Sequence, residues 1–437
     1  MPTPVSSAEV LIIGGCIESY WAAIALARLR GVLSQSITLI NDNEQLNPVV
    51  SAGDWIEEFH EWLGISHDVF LKRLRPRISL GLQLGSEHRQ VFIPAAPTGI
   101  SLRNCSFSRL YAAIARHADC NFMDFNFATF LEQSGTVAAP PNVGKAMAKG
   151  LNLIFHWDAV AYKKFLAESI DFNSVKVKSV AANDVGSYLS DAICDDGVGS
   201  SSSSANPPVL ANPLVLDFHW RKPWRISEVE LFGSPQNNFF GKNEVFCDLK
   251  FLHYSLAVNQ SRRFKYAIPL GEILEFEEDL LMNSPANYVA GRTINMGAKH
   301  SGFSPFAVEE TVFYRQLQTL IDIVRISDHI DIFARKLNRQ WCAWQNEIDD
   351  VISLIFSVLR GNKLSERNAY RSGLFQQVGM VPLEDARLID EGLWENMLVA
   401  GLGVQPGYRG APNEYSLQEA VGHLKNIRQS FFSALSK

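Results

Sequence analysis

The opening of the chain constrains the fold more than any other segment. Residues 9–15 (EVLIIGG) form a short apolar run that ends at two glycines, which predicts a buried parallel strand. Residues 18–28 are rich in alanine and leucine and predict a helix, and residues 36–41 (SITLIN) predict a second strand. A strand, glycines, a helix and a strand within about 30 residues are typical of the right-handed crossover unit of nucleotide-binding sheets.

The loop between this strand and helix is the candidate cradle for a pyrophosphate. Such a cradle uses three small residues, in the pattern GxGxxG, for a tight turn, a close approach of the backbone to the phosphates and close packing of helix on strand. The three motif positions are Gly14, Cys16 and Ser19, and Gly15 lies between the first two. Cysteine thus replaces the second glycine and serine the third. Serine is small enough for its position, whereas the Cys16 side chain takes space that the phosphates require.

Two further positions of this unit depart from the nucleotide-binding pattern. Glu18 falls in the first helical turn, where the helix dipole and the free N–H groups normally attract a phosphate. Its carboxylate either stabilises the helix or occupies the anion site. The acid that binds the ribose is expected about 20 residues further on, and Asn41 stands there with Asp42 beside it. An amide binds a hydroxyl more weakly than a carboxylate does, so the unit predicts a nucleotide-binding fold more firmly than a bound nucleotide.

Beyond this unit the sequence predicts an α/β body, residues 1–305, and a helical C-terminal region packed on it, residues 306–437. We expect helices at residues 54–63 and 159–169, strands at residues 77–84, 151–155 and 209–218, and a hairpin of residues 175–181 and 187–194. Residues 195–208 (DDGVGSSSSSANPP) predict a flexible loop. Long helices are predicted at residues 308–325, 330–359 and 416–436.

The composition excludes several classes of function. The 437 residues carry a net charge of −6 with basic residues spread along the chain, so neither a nucleic acid nor an anionic membrane surface is an expected partner. The first apolar run is too short for a signal peptide or for a membrane span, which needs about 20 apolar residues. The six cysteines show neither CxxC nor zinc-ligand spacing. We therefore expect a cytoplasmic protein with reduced thiols and no metal site.

Several segments, taken in order along the chain, match motifs of one enzyme family. Residues 12–23 (IIGGCIESYWAA) are similar to a GGGTAGWMAA loop, and residues 151–159 (LNLIFHWDA) with 164–166 (KFL) to a YAYHFDA…FL segment. Residues 214–217 (LVLD) and 264–269 (FKYAIP) stand where the family has the strand before DCSGF and the motif WxWxIP. Residues 295–298 (NMGA), 307–311 (AVEET) and 337–339 (LNR) resemble GLAAG, PLEST and FNRR. The chain thus resembles the flavin-dependent tryptophan halogenases and is identified as a divergent member of that family.

The resemblance implies a FAD/NAD(P)-binding Rossmann-type fold of the flavin monooxygenase and halogenase kind, with FAD as cofactor. Such enzymes use reduced FAD, for which a flavin reductase is the implied partner, and oxygen to oxidise a halide to hypohalous acid. The hypohalous acid then reaches a lysine beside an aromatic substrate such as an indole, and a glutamate assists. A homodimer is a candidate assembly.

The catalytic positions of the family fall on Ser79 and Glu309. The lysine of the family's YKLGI strand matches Ser79, within residues 78–82 (ISLGL), and the glutamate matches Glu309. Serine donates a hydrogen bond but is not cationic and forms no haloamine. The loop that approaches the flavin matches residues 48–53 (PVVSAG), and the motif tryptophans become Phe264 and Tyr266. The resemblance assigns the cofactor-binding positions to Gly14, Gly15, Cys16, Ser19 and Asn41.

Three hypotheses remain open from the sequence. The chain is a divergent flavin enzyme, a halogenase or monooxygenase with impaired or lost halogenation, or a non-catalytic family member that serves as a binding or interaction module. The third hypothesis is a structural subunit in a complex with another halogenase-like chain. The fold and the family resemblance favour the first hypothesis. The changes at ligand positions favour the second, because the scaffold segments keep their pattern while these positions do not.

Overall fold

The computed structural model of the chain describes residues 10–29, 37–41, 49–86, 89–115, 120–134, 151–170, 175–179, 184, 214–217, 222–223, 229–231, 254–258, 263–267, 272–277, 288–290, 293–297, 300–301, 304–326, 330–361, 363–382, 387–407 and 416–435. The predicted loop at residues 195–208 and the predicted strand at residues 187–194 lie outside these ranges.

The helices alternate with strands in the first part of the chain and dominate its last third. In chain order they are α1 Ile17–Arg28, α2 Trp55–Leu63, α3 His67–Leu74, α4 Phe107–Ile114, α5 Phe127–Ser134, α6 Ala159–Ser169, α7 Val308–Ile326, α8 Ala334–Arg360, α9 Glu366–Val378, α10 Glu391–Asn396 and α11 Leu417–Leu435. Short 3₁₀ segments lie at Phe122–Phe125, Pro305–Ala307 and Ile330–Phe333, and a π-helical turn at Met397–Gly401. None of the helices in the described ranges is long and apolar enough to cross a membrane.

The strands, in chain order, are β1 Val10–Ile13, β2 Ile37–Asn41, β3 Val49–Ala52, β4 Arg77–Ser79, β5 Gly81–Ser86, β6 Arg89–Pro94, β7 Ile154–Asp158, β8 Val175–Ser179, β9 Leu214–Asp217, β10 Lys222–Pro223, β11 Val229–Leu231, β12 Tyr254–Val258, β13 Arg263–Ala267, β14 Glu272–Glu277, β15 Val289–Ala290, β16 Thr293–Asn295 and β17 His300–Ser301. The short strands β10 and β17 pair with each other in parallel.

The first sheet has β1 at its centre, as the sequence predicts. The described strands follow the order β15-β16-β9-β1-β2-β8, and β1 pairs in parallel with β2 on one side and β9 on the other. Val10 and Ile12 lie in the main hydrophobic core, while Leu11 and Ile13 lie in a smaller cluster on the opposite face. Burial on both faces explains the continuous apolar run, and the predicted Rossmann-type α/β fold is confirmed.

The strand order reverses at β1, with β2 and β8 on one side and β9 on the other. Ligands of open α/β sheets bind at such a switch point, in the crevice beyond the carboxyl ends of the strands. The loop at residues 14–16 and the end of β2 at Asn41 both lie at this edge. The fold therefore brings together the residues that the sequence assigns to a cofactor.

A second sheet, which the sequence analysis does not predict, follows the order β11-β14-β13-β12-β5-β6. Its neighbouring strands are antiparallel except for β5 and β12, which run in parallel. β13 contains Phe264 and Tyr266, the positions of the motif tryptophans. Strands this far apart in the chain are paired by tertiary contacts that short-range patterns do not reveal.

The predicted continuous strand at residues 77–84 is wrong. β4 ends at Ser79 and β5 begins at Gly81, and the two belong to different sheets. A Cβ atom on Gly81 would lie 2.2 Å from the carbonyl oxygen of Ile93, so the chain approaches its neighbour too closely for any other residue. The close approach fixes the position at which the chain changes sheets.

A small third sheet contains Ser79, one of the two candidate catalytic positions. Its order is β3-β7-β4, and β7 at the centre is antiparallel to both neighbours. The predicted strand at residues 151–155 is found further along the chain, at Ile154–Asp158. The predicted helix at residues 159–169 follows it directly as α6, with Asp158 as a cap that accepts a hydrogen bond from the Ala161 N–H at 2.6 Å.

Two other predictions have mixed outcomes. The strand at residues 175–179 exists, but its partner is β2, in parallel, and the other half of the predicted hairpin lies outside the described residues. The three long C-terminal helices are confirmed, with a 3₁₀ turn replacing the start of the second, and α9 and α10 add to them. The division of the chain at residues 305 and 306 stays a prediction.

Candidate functional site

The loop before α1 keeps the backbone geometry of a phosphate cradle. Gly14 has a φ of 134°, which is in the region that favours glycine. The Ser19 hydroxyl turns back into the loop and donates to the carbonyl oxygens of Gly14 at 2.8 Å and Cys16 at 2.7 Å. Ser19 is fully buried, so its hydroxyl stabilises the loop from the interior of the protein and does not face a ligand.

Cys16 and Glu18 occupy the part of the loop that a pyrophosphate would approach. Cys16 is the N-cap residue of α1, half-buried, and makes no side-chain cap hydrogen bond. Glu18 lies in the first turn of α1 and is also half-buried. A side chain at the close-approach position and a carboxylate at the helix N-terminus both oppose a phosphate. These residues do not fit the pyrophosphate of FAD.

Asn41 has a cationic neighbour that the sequence analysis does not identify. The Lys163 Nζ donates to the Asn41 Oδ1 at 3.3 Å. The same ammonium lies 5.4 Å from the centroid of the Tyr20 ring, within the range of a cation–π interaction. Lys163 comes from α6, which packs beside α1, and Asn41 ends β2. The amide at the predicted ribose position is therefore paired with an ammonium.

Ser79 lies inside the protein and not on a substrate surface. Its side chain is 0% exposed, and its hydroxyl is 3.0 Å from the Nε2 atom of His156. On the other side of the ring, the Nδ1 atom of His156 is 2.9 Å from the Ser51 hydroxyl. Ser51 is directly opposite His156 in the pairing of β3 with β7. The three side chains, with Glu310 described below, form what we name the buried serine–histidine chain.

The imidazole of His156 is neutral. Complete burial lowers the pKa of His156 to about 3, because the charged form loses its hydration. A neutral ring donates through one nitrogen and accepts at the other. One serine hydroxyl therefore accepts from His156 while the other donates to it. The ring satisfies both hydroxyls and leaves neither of its nitrogens for a substrate.

Glu310 closes this chain on the side of α7. Its Oε1 accepts a hydrogen bond from the Ser51 backbone N–H at 3.1 Å, and its Oε2 accepts one from the Ser304 hydroxyl. The pKa of Glu310 is raised to about 7, mainly by burial and in small part by the charge of Glu18, against the opposing effect of the hydrogen bonds from Ser304 and Ser51. The residue follows Glu309 directly in the sequence, and a second glutamate in that motif is the one signal that could have identified it.

Glu309, the predicted catalytic glutamate, is 4% exposed at the start of α7. Its backbone N–H donates to the Ser304 hydroxyl at 3.1 Å. The two residues before α7, Phe306 and Ala307, have φ values of 59° and 56°, which are unfavourable for residues other than glycine. Such backbone strain is held only where the surrounding structure fixes the segment, and it clusters at functional sites. The turn thus sets the direction of both glutamates.

The segment matched to GLAAG also has its backbone engaged. The N–H of Gly297 donates to the Oε1 of Gln316 at 2.7 Å, and Gly297 has a φ of 91°. Gln316 is fully buried on α7. The backbone N–H group of this loop is therefore hydrogen-bonded to a side chain of the protein itself.

The fold brings the predicted site residues together in two groups. One group, the loop end, contains Gly14, Gly15, Cys16, Ser19 and Asn41 with Glu18 and Lys163. The other is the buried serine–histidine chain, with Glu309 beside it. Sequence reasoning did not find Lys163, Ser51 or His156 as partners, because each contacts its partner from a distant segment.

The family comparison gives one match. Residues 9–193 match the family model described as tryptophan halogenase. The comparison of the sequence with curated proteins finds no match. The resemblance that the sequence motifs predict is confirmed over the matched residues.

Solved structures with the same fold cover nearly the whole chain. The flavin-dependent halogenase Xcc4156 from Xanthomonas campestris is 18% identical with a TM-score of 0.69, over 98% of this chain and 96% of that one. BrvH, a flavin-dependent halogenase from Brevundimonas, is 14% identical with a TM-score of 0.68, over 99% and 97%. A tryptophan halogenase from Shewanella frigidimarina is 13% identical with a TM-score of 0.65, over 98% and 94%. At these identities the likeness establishes the fold.

Proposed function

We propose that the protein is a divergent member of the tryptophan halogenase family, whose model matches residues 9–193, and that it has lost regioselective halogenation. It keeps the cleft beside β1 as a ligand-binding site. The observation that carries this proposal is Ser79, which the resemblance aligns with the family lysine and which is buried against His156. The second hypothesis from the sequence, a non-catalytic binding module, is thus the form of the proposal that we favour.

Two physical features remove the function of the lysine. A serine hydroxyl is neutral, so it neither holds hypohalous acid by charge nor forms a haloamine. The hydroxyl is also already bonded to the His156 Nε2 and has no exposed surface. A missing positioning or acid group in catalysis costs about 10²–10⁴-fold in rate. Glu309 supplies no cation that could replace it.

The flavin part of the family function is weakened for a different reason. Cys16 and Glu18 oppose the pyrophosphate of FAD at the loop end, although the Gly14 turn is kept. We expect FAD to bind with a dissociation constant well above micromolar. In a family member that binds it, FAD reduced by a flavin reductase would react with oxygen and so supply the oxidising chemistry. An indole would be the aromatic partner.

The proposal is tested by mass spectrometry of tryptophan and indole incubated with the protein, FAD, a flavin reductase, NADH and bromide. We expect no single-isomer bromotryptophan and at most release of peroxide. A halogenase of the same fold, such as BrvH, serves as the positive control for the assay components. A single bromotryptophan isomer from the unmodified protein would overturn the proposal.

A further inference from the structure

The carboxyl end of β2 carries a cation where the dinucleotide-binding pattern has an acid. That acid normally binds the ribose hydroxyls, and a basic residue nearby accommodates a phosphate on the same ribose. Here Asn41 takes the position of the acid, and the Lys163 Nζ lies 3.3 Å from its Oδ1. The pair therefore has the chemistry of an anion site at the ribose end of the cleft.

The position of Lys163 is fixed by its neighbour in α6. Tyr162 is fully buried, and its hydroxyl accepts a hydrogen bond from the Trp21 Nε1 at 2.8 Å and lies 2.7 Å from the His60 Nε2. These contacts attach α6 to α1 and α2. Lys163 and Asn41 are each half-buried, so neither residue is fully enclosed at the end of β2.

The other end of the cleft has the opposite charge. The N-terminus of α1, which binds the pyrophosphate in dinucleotide-binding folds, carries Glu18 in its first turn and Cys16 at the N-cap. A ligand with a pyrophosphate places two negative charges there. A ligand whose only anionic group lies at the ribose hydroxyls avoids Glu18 and meets Lys163 instead.

We propose that this cleft binds a nucleoside monophosphate with its phosphate on the 2′ position of the ribose. Asn41 binds the ribose or the phosphate as a donor through its Nδ2, and Lys163 pairs with the phosphate oxygens. The inference rests on the proposed function in one respect, since it takes the cleft to be a binding site that is not used for halogenation.

The test is calorimetric titration of the full chain with adenosine 2′-monophosphate, adenosine 5′-monophosphate, adenosine and FAD. We expect the 2′-monophosphate to bind at least about tenfold more tightly than adenosine, as expected for a charge-assisted contact. It should also bind more tightly than the 5′-monophosphate and FAD. Lys163→Gln should remove this preference, while Lys164→Gln should change the affinity by less than about twofold, because Lys164 is the exposed next residue on α6.

Three results would overturn the inference. They are equal affinity for the 2′- and 5′-monophosphates, equal losses in Lys163→Gln and Lys164→Gln, and no binding of the 2′-monophosphate at millimolar concentration. Far-UV circular dichroism of both variants confirms that they are folded. The bromination assay is independent of these titrations. Formation of bromotryptophan would contradict the proposed function, whereas a failure of this inference would appear only in the titrations.

Discussion

The loop end and the buried serine–histidine chain differ in how they depart from a halogenase. At the loop end the backbone keeps the turn at Gly14, while Glu18 places a negative charge where a ligand would approach. In the buried serine–histidine chain a ligand has no access to the side chains, because Ser79 and His156 contact each other and are fully buried. The first kind of change alters which ligand binds, whereas the second removes a reactive group from the site.

This difference has a consequence for engineering. Cys16 and Glu18 of the loop end are half-buried, so replacing them should change ligand affinity and cost little stability. A residue of the buried chain shares hydrogen bonds with its neighbours, so its replacement acts first on folding. Introducing the residues of the family motifs should therefore increase ligand affinity at the loop end and decrease stability in the buried serine–histidine chain.

The largest effect is expected for Ser79→Lys, which returns the family lysine to its position. The new ammonium would be buried beside a neutral imidazole, and we expect a loss of about 3–5 kcal/mol in the free energy of unfolding. Urea denaturation measures it. Ser79→Ala is the control and should lose about 1–2 kcal/mol, since it removes a hydrogen bond but buries no charge. A Ser79→Lys variant as stable as the wild type would show that this region is open to water.

The next effect concerns pH and Glu310. The pKa of Glu310 is raised from its ordinary 4.5 to about 7 in the folded protein. Between these values the folded state holds the proton more tightly than the unfolded chain does. The stability that Glu310 contributes is therefore full below about pH 4.5 and is lost as the pH rises towards 7. We expect Glu310→Gln to reduce the difference in unfolding free energy between pH 5 and pH 8 by about 2–3 kcal/mol.

The control for this measurement is Glu366→Gln, a change at an exposed glutamate in the first turn of α9. It removes one carboxyl from an exposed position and so controls for the change in net charge. Denaturant titrations at several pH values provide the data. An unchanged pH dependence in Glu310→Gln would mean that the buried carboxyl is not protonated at neutral pH.

At the loop end we expect a gain of ligand affinity. Glu18→Gln combined with Cys16→Gly removes the carboxylate and the side chain that oppose a pyrophosphate, so FAD should bind about tenfold to a hundredfold more tightly. Quenching of flavin fluorescence measures the dissociation constant. Glu57→Gln, in the first turn of α2, is the matched control and should have no effect. Submicromolar binding of FAD by the unmodified protein would contradict the argument.

The smallest effect tests whether the buried chain acts as a unit. Ser51 and Ser79 bond to the two nitrogens of one ring, so the stability losses of Ser51→Ala and Ser79→Ala should differ from additivity by about 0.5–1 kcal/mol. Ser357→Ala serves as the control partner for Ser79→Ala, because the Ser357 hydroxyl donates to a backbone carbonyl within α8. Strict additivity for the pair Ser51 and Ser79 would show two independent contacts.

Local patterns predicted much of the fold and little of the site. The run at Val10–Ile13 predicted a central parallel strand because burial on both faces requires consecutive apolar residues. The break between Ser79 and Gly81 was not predictable, because it depends on the close approach of Ile93 from another strand. The second sheet was missed for the same reason, since its register is set by distant partners.

The sequence by itself determined the opening strand–helix–strand unit, the long C-terminal helices and the presence of a serine at position 79. These follow from residue types and short spacings, which the chain carries before it folds. Only the tertiary structure decided that Ser79 is enclosed by His156, that Glu310 joins Ser51, and that Lys163 reaches Asn41. Each of these contacts joins segments that are more than 70 positions apart. Burial and charge at the site are therefore set by packing, whereas the elements that pack are set by the local sequence.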